Sequence, residues 1–184
     1  YPADILDVSD DRVDDINRDR FYVSETIDDC CSLLGGHVVM KRLGDLLQSE
    51  CNRLGGESSS VNWQGIEACL AGIQAINKYI PNDENQVLPG CFELIPRLPQ
   101  NVAPLRFTAS KLIGKYASWL SQHPTVLPPL LPYLSQSLSM PLCAPAAAIA
   151  IKELCECSNQ QMAIADPVLQ LYNDITASVS QGTP

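Results

Sequence analysis

Residues 87–98 read VLPGCFELIPRL, and residues 126–138 read VLPPLLPYLSQSL. Each stretch is a short helical pattern with an apolar stripe. Each follows a longer apolar-striped run, Trp63 to Ile80 and Leu105 to Leu120, that ends at a turn with proline. The unit therefore returns about every 40 residues, the period of stacked helix pairs. Because a pair of this size cannot cover its own apolar side, the pattern predicts an all-α fold: an α-α superhelix (HEAT/armadillo-like solenoid) of about four antiparallel helix pairs.

The same pattern divides the chain into a lead-in, a repeat segment and a tail. We predict an acidic loop over residues 1–18, a solenoid over 19–180 and a frayed end at 181–184. The four helix pairs are expected at about 19–54, 61–99, 102–140 and 142–180. Both ends resemble cut solenoid, so we expect the chain to be part of a longer protein.

Apolar spacing also predicts which side of each helix is buried. In the helix over residues 19–34 we expect the core to receive Phe21, Ile27, Cys31 and Leu34. In the helix that starts at Trp63, the stripe indicates that Glu67 faces water.

Charge is concentrated at the start of the chain. The 184 residues carry a net charge of −9, and residues 1–29 hold ten acidic residues against Arg12, Arg18 and Arg20. This sign disfavours a nucleic-acid binder. It suits basic protein partners, which long-range attraction would bring to Asp10, Asp11, Asp14 and Asp15. A solvated loop that only aids solubility is the alternative.

The composition contains no signal for catalysis, a metal or a membrane span. Of two histidines, His37 sits at a helix start and His123 in a turn, and no nucleophile or phosphate-binding motif is present. Cys155 and Cys157 are two apart, which points them to different sides of a helix rather than to one zinc ion. Of the eight cysteines, Cys69, Cys91 and Cys143 lie among apolar helical neighbours and Cys30 and Cys31 are adjacent, so we expect free thiols in a reducing compartment. We expect no enzyme activity, cofactor or bound metal.

The second helix of each predicted pair carries a polar stripe. In solenoids of this kind such helices line the concave surface, so the stripes are candidates for partner contacts, although a solvated surface is the alternative. The candidates are Lys41, Asp45, Gln48, Glu93, Arg97, Gln136, Gln170 and Asp174.

Several short motifs together resemble the importin-β superfamily, in its importin-13 and transportin-SR branch. They are W-Q-x-x-E-A-x-L-x-G at 63–72, V-x-P-G at 87–90, LIPR at 94–97, W-L-x-x-H-P at 119–124 and KELCEC at 152–157. The resemblance implies a middle segment of a nuclear transport receptor that shuttles between cytoplasm and nucleus. Its partners would be protein cargo, Ran-GTP, mainly through repeats outside this segment, and nucleoporins, with no direct nucleic-acid binding and no membrane insertion.

Two other readings remain open at this point. A helical-repeat scaffold or adaptor unrelated to nuclear transport has the same composition, and an α-helical enzyme or metal protein is the third possibility. The sequence distinguishes neither the cargo nor the direction of transport.

Overall fold

The computed structural model describes residues 1–2, 5, 9–54 and 63–158. These residues form eight α-helices and contain no β-strand, so the predicted all-α class is confirmed. The helices are α1 (Asp10–Leu34), α2 (Gly36–Leu54), α3 (Trp63–Ala75), α4 (Leu88–Leu94), α5 (Ala103–Lys115), α6 (Ala117–Gln122), α7 (Leu130–Leu138) and α8 (Ala144–Ser158). Short 3-10 turns follow α3 at Asn77–Tyr79 and α4 at Ile95–Arg97.

The chain forms two compact units that divide between Val87 and Leu88. The first unit contains α1, α2 and α3, and the second contains α4 to α8. The finer division into four helix pairs stays a prediction, because the expected second helix of the last pair lies outside the described residues.

Helix α1 begins at Asp10, so the predicted loop over residues 1–18 is wrong for its second half. The residue before the helix, Ser9, has the extended backbone expected at a helix start. Asp10 and Asp11 occupy the first turn, where carboxylates interact favourably with the positive end of the helix dipole. The acidic composition therefore favours a helix start here rather than opposing helix formation.

The inner side of α1 differs from the prediction for Phe21 and Leu34, which are 59% and 61% exposed. The side chains that face the rest of the unit are those of Arg20, Ser24, Ile27 and Cys31, which are spaced so that they lie on one side of the helix. Arg20 and Ser24 can point inward because both are hydrogen-bonded: Arg20 to α3, and Ser24 through its hydroxyl to the Arg20 carbonyl at 2.9 Å.

Helix α2 packs against both α1 and α3, which also contact one another. Their shared core contains Cys31, Met40, Leu47, Ile66, Cys69, Leu70, Ile73 and Ile76. The chain turns from α1 into α2 at Gly35, whose φ of 87° lies in the region that favours glycine.

In the second unit, α8 packs against α5, α6 and α7. The contact between α5 and α8 is close because a Cβ added at Gly114 would lie 3.0 Å from the Cα of Ala150. Buried aromatic rings fill the centre: Phe92 stacks on Trp119 at 5.4 Å and meets Tyr116 edge-on at 6.1 Å. The remaining core is mostly leucine, isoleucine and alanine, as the small aromatic content predicts.

Among the described residues of this unit, one charged side chain is buried. Arg106 on α5 is 2% exposed, and its acceptors are neutral oxygens. Nε donates to Ser137 Oγ at 2.7 Å and Nη2 to the carbonyl of Tyr133 at 2.8 Å, while Nη1 donates to the side-chain carbonyl of Gln100. The guanidinium also lies 4.2 Å from the centre of the Tyr133 ring. The hydrogen bonds of Arg106 therefore join α5 to α7 and to the segment that leads into α5.

We predict that Arg106→Lys lowers the free energy of unfolding by about 2 kcal/mol, because a lysine ammonium cannot reproduce the planar fork that reaches acceptors on Gln100, Tyr133 and Ser137 at once. Urea denaturation followed by circular dichroism measures the change. Arg97→Lys is the matched control, since Arg97 is exposed, and it should change stability by less than about 0.5 kcal/mol. Equal effects of the two substitutions would contradict this role of Arg106.

Candidate protein-binding site

The four aspartates proposed for basic partners lie in the first two turns of α1. Asp10, Asp11 and Asp14 are exposed, and Asp15 is half-buried. Positions i, i+1, i+4 and i+5 share one side of a helix, so the helix brings the four carboxylates together. Asp15 is engaged in part, because Arg18 Nη2 lies 2.6 Å from its Oδ1.

Helix α2 places its predicted stripe on its outer side. Lys41, Asp45 and Gln48 are all exposed, opposite the buried Met40 and Leu47. Gln48 donates from Nε2 to Asn52 Oδ1 at 3.0 Å, which orients its amide along the same side. The three side chains are therefore available to a partner.

In the second unit the candidate residues are separated by a change of helix type. Glu93 lies on α4 and Arg97 in the 3-10 turn Ile95–Arg97, and both are exposed. The α-helix ends at Leu94 just before Pro96, which has no amide hydrogen to continue it. Glu93 and Arg97 therefore do not belong to one continuous α-helix.

Gln136 on α7 is exposed, but its Oε1 accepts a hydrogen bond from Arg106 Nη2 at 3.2 Å. The side chain of Gln136 therefore already contacts another residue of its own unit. Gln170 and Asp174 lie outside the described residues.

Glu67 is fully buried on α3, so the prediction that it faces water is wrong. Its carboxylate is held by Arg20 of α1, with Nη2 at 2.6 Å from Oε1 and Nη1 at 3.0 Å from Oε2. The main-chain nitrogen of Tyr1 donates to Oε2 at 2.9 Å. The position of Glu67 in the sequence could have indicated its burial, because Glu67 lies one turn after Trp63 and one turn before Leu70 on the buried side of the helix.

Beside this ion pair the first unit has a cleft of about 380 Å³ between α1, α3 and residues 1–2. Arg20 forms part of its wall, with its guanidinium 4.0 Å from the centre of the Tyr1 ring. The exposed Asp19 stands at its edge. The apolar part of its lining is provided by Ile16, Val23, Ile27, Ala68, Ala71 and Gly72.

A second set of polar contacts joins α1 to the turn that follows α3. Lys78 Nζ lies 2.8 Å from Asp28 Oδ1, and the hydroxyl groups of Ser32 and Tyr79 are 3.0 Å apart. The hydrogen bond from Lys78 lowers the pKa of the Asp28 carboxyl, and the same bond raises the pKa of Lys78.

The cysteines are free thiols, of which Cys31, Cys69, Cys91 and Cys143 are buried. Burial raises the pKa of Cys69 to about 11, so this thiol stays protonated at neutral pH.

Within the described ranges, no three His, Cys, Asp or Glu side chains come together in a way that could hold a metal ion. None of the helices that the structure describes is both long enough and apolar enough to cross a bilayer.

Comparison with known proteins gives concordant matches. Residues 85–171 match the family model described as the Transportin-3/Importin-13 third TPR domain. Transportin MOS14 of Arabidopsis thaliana is 32% identical over 160 residues, which cover 85% of this chain and 16% of that protein. Importin-13 of Homo sapiens and of Rattus norvegicus are each 28% identical over 160 residues, with the same two shares. The chain therefore spans only 16% of the length of these relatives.

The match to the family model also supports the predicted fold class. TPR and HEAT units are both antiparallel helix pairs that bury their apolar sides by stacking. The predicted helical-repeat class is confirmed by this match together with the all-α structure.

We predict that Arg20 and Glu67 are energetically coupled. A double-mutant cycle with Arg20→Met and Glu67→Gln should give a coupling energy of about 1–3 kcal/mol, because Glu67 is buried and Arg20 only partly exposed. The pair Arg18 and Asp15, changed to Met and Asn, is the matched control because both side chains are more exposed than Arg20 and Glu67, and it should give less than about 0.5 kcal/mol. A coupling energy for Arg20 and Glu67 no larger than that of the control pair would contradict the prediction.

We predict that the contribution of Asp28 to stability is lost in acid. Its carboxyl has a lower pKa in the folded chain than in the unfolded chain, so the stabilisation is present above the unfolded value of about 4 and is lost as the pH falls through the folded value. The difference in melting temperature between the wild type and Asp28→Asn should be constant from neutral to mildly acidic pH and then shrink below about pH 4. A difference that persists unchanged through that range would rule out the ion pair as its source.

Proposed function

Because the chain belongs to the transportin-3/importin-13 family, we propose that it is a segment of a nuclear transport receptor that binds protein cargo. The observation that carries the proposal is the family match over residues 85–171, extended to 85% of the chain by the individual relatives. The complete receptor would shuttle between cytoplasm and nucleus under the control of Ran-GTP and would contact nucleoporins during passage.

The segment would act by binding, without catalysis. Its exposed candidate residues divide into an acidic group on α1 and polar stripes on later helices, and both suit a protein partner with a charged surface. The acidic group is Asp10, Asp11, Asp14 and Asp15, and the stripes are Lys41, Asp45, Gln48, Glu93, Arg97 and Gln136. Gln170 and Asp174 belong to the proposal on sequence alone.

Control by Ran-GTP would be a coupling between two binding sites of the complete receptor. If the receptor takes different conformations with cargo and with Ran-GTP, each ligand reduces the affinity for the other by the same factor. Such couplings typically correspond to about 5- to 150-fold changes in affinity. In this scheme most Ran contacts lie in repeats outside the segment, which would provide part of the cargo surface.

We predict that the full-length protein containing this segment binds purified Ran in its GTP form at least about tenfold more tightly than in its GDP form. Surface plasmon resonance with both nucleotide states measures the ratio. A helical-repeat scaffold unrelated to transport has no reason to distinguish the nucleotides, so equal affinities would refute the proposed function.

A further inference from the structure

We infer that the cleft between α1, α3 and residues 1–2 binds one apolar side chain of a protein partner whose neighbouring residues are lysine or arginine. This inference rests on the proposed function, because it gives cargo binding a place and a chemistry within the first unit. It is carried by the size and lining of the cleft together with the charges around it.

The cleft is large enough to admit one apolar side chain completely and is too small for a broad surface. Its volume of about 380 Å³ is at the lower end of the range for ligand sites. On the α3 side only Ala68, Ala71 and Gly72 contribute, and a Cβ added at Gly72 would lie 2.9 Å from Leu43 Cδ2, so that Leu43 would have to shift. These small residues leave space that the longer side chains of α1 border without filling.

Apolar surface at the cleft remains open to solvent. Val23 lines it and is 59% exposed, whereas the deeper Ile27 is half-buried. A partner side chain that covers Val23 and reaches Ile27 removes this apolar surface from water, which is favourable.

The charge near the cleft is negative even though Arg20 lies in its wall. Both terminal nitrogens of Arg20 are bonded to the buried Glu67, and the face of the guanidinium is against the Tyr1 ring, so this cation is already paired. Asp19 is exposed at the edge of the cleft, and Asp10, Asp11, Asp14 and Asp15 lie outside its lining, one to three turns earlier on α1, where they act only at longer range. Residues 10–19 hold five aspartates against Arg12 and Arg18, so basic residues beside the inserted side chain are attracted.

The test uses the 184-residue chain and a fluorescein-labelled peptide of glycine and serine with one central leucine between two pairs of lysines. Fluorescence anisotropy should detect binding that weakens when salt is raised from about 50 to 300 mM. Replacing the leucine by serine should weaken binding at least about tenfold, and replacing the lysines by glutamates should abolish it.

Two substitutions, each with a matched control, locate the binding. Ala68→Trp fills the cleft and should weaken binding at least about tenfold, whereas Ala148→Trp, at an exposed alanine of α8, should not. Asp19→Asn should weaken binding about threefold, and Asp29→Asn, at an exposed aspartate of α1 outside the cleft lining, should have no effect. Circular dichroism checks that each variant is folded. If the Ala68→Trp variant does not fold, the Asp19→Asn variant still decides the test.

Peptide binding that ignores Ala68→Trp or Asp19→Asn, or a glutamate peptide that binds as well as the lysine peptide, would overturn the inference. Sedimentation velocity tests the other occupant: self-association that Ala68→Trp abolishes would assign the cleft to a second copy of the chain and also overturn it. If the peptide experiments fail but the full-length protein still distinguishes Ran-GTP from Ran-GDP, only the inference about the cleft is refuted. Loss of that discrimination with intact peptide binding would refute the transport function alone.

Discussion

A short amphipathic helix cannot bury its apolar side by itself, and this constraint governs every element of the chain. Isolated helices of the length of α3 or α5 are marginal in water, so most of their stability must come from contacts with neighbouring helices. In each unit those contacts depend on small residues that let helices approach, as Gly114 does at Ala150. The charged side chains of Glu67 and Arg106, which fall on the inner sides, each have built-in hydrogen-bond partners.

The same constraint leaves the outer sides free for binding. Because α1, α2 and α3 use their inner sides for packing, charged and polar residues such as Asp14 and Lys41 remain exposed. Where α1 meets the small residues of α3, packing is incomplete and a cleft remains beside the Arg20–Glu67 pair. A solenoid segment can thus offer partners both a charged surface and a defined apolar position without any catalytic group.

Periodicity predicted the fold class and much of the second unit, where Leu105 and Leu112 are buried as the spacing indicates. Periodicity does not predict the start and the inner side of α1. An aspartate-rich composition favours a loop before residue 19, but carboxylates also stabilise a helix start. Apolar spacing places Phe21 in the core and Glu67 at the surface, but Arg20 occupies the inward position and pairs with the buried Glu67 carboxylate. A single sequence does not reveal such a partnership, because its members are 47 residues apart.

The most direct test of this account is hydrogen–deuterium exchange of the chain, resolved by helix. If stability comes from packing, amides of α3 and α5, which contact other helices of their own units, should exchange slowest. Amides of the first half of α1, residues 10–19, have mostly exposed side chains and should exchange earliest among the described helices. Equal rates in residues 10–19 and in α5 would contradict the account, because they would show helices whose stability does not depend on their neighbours.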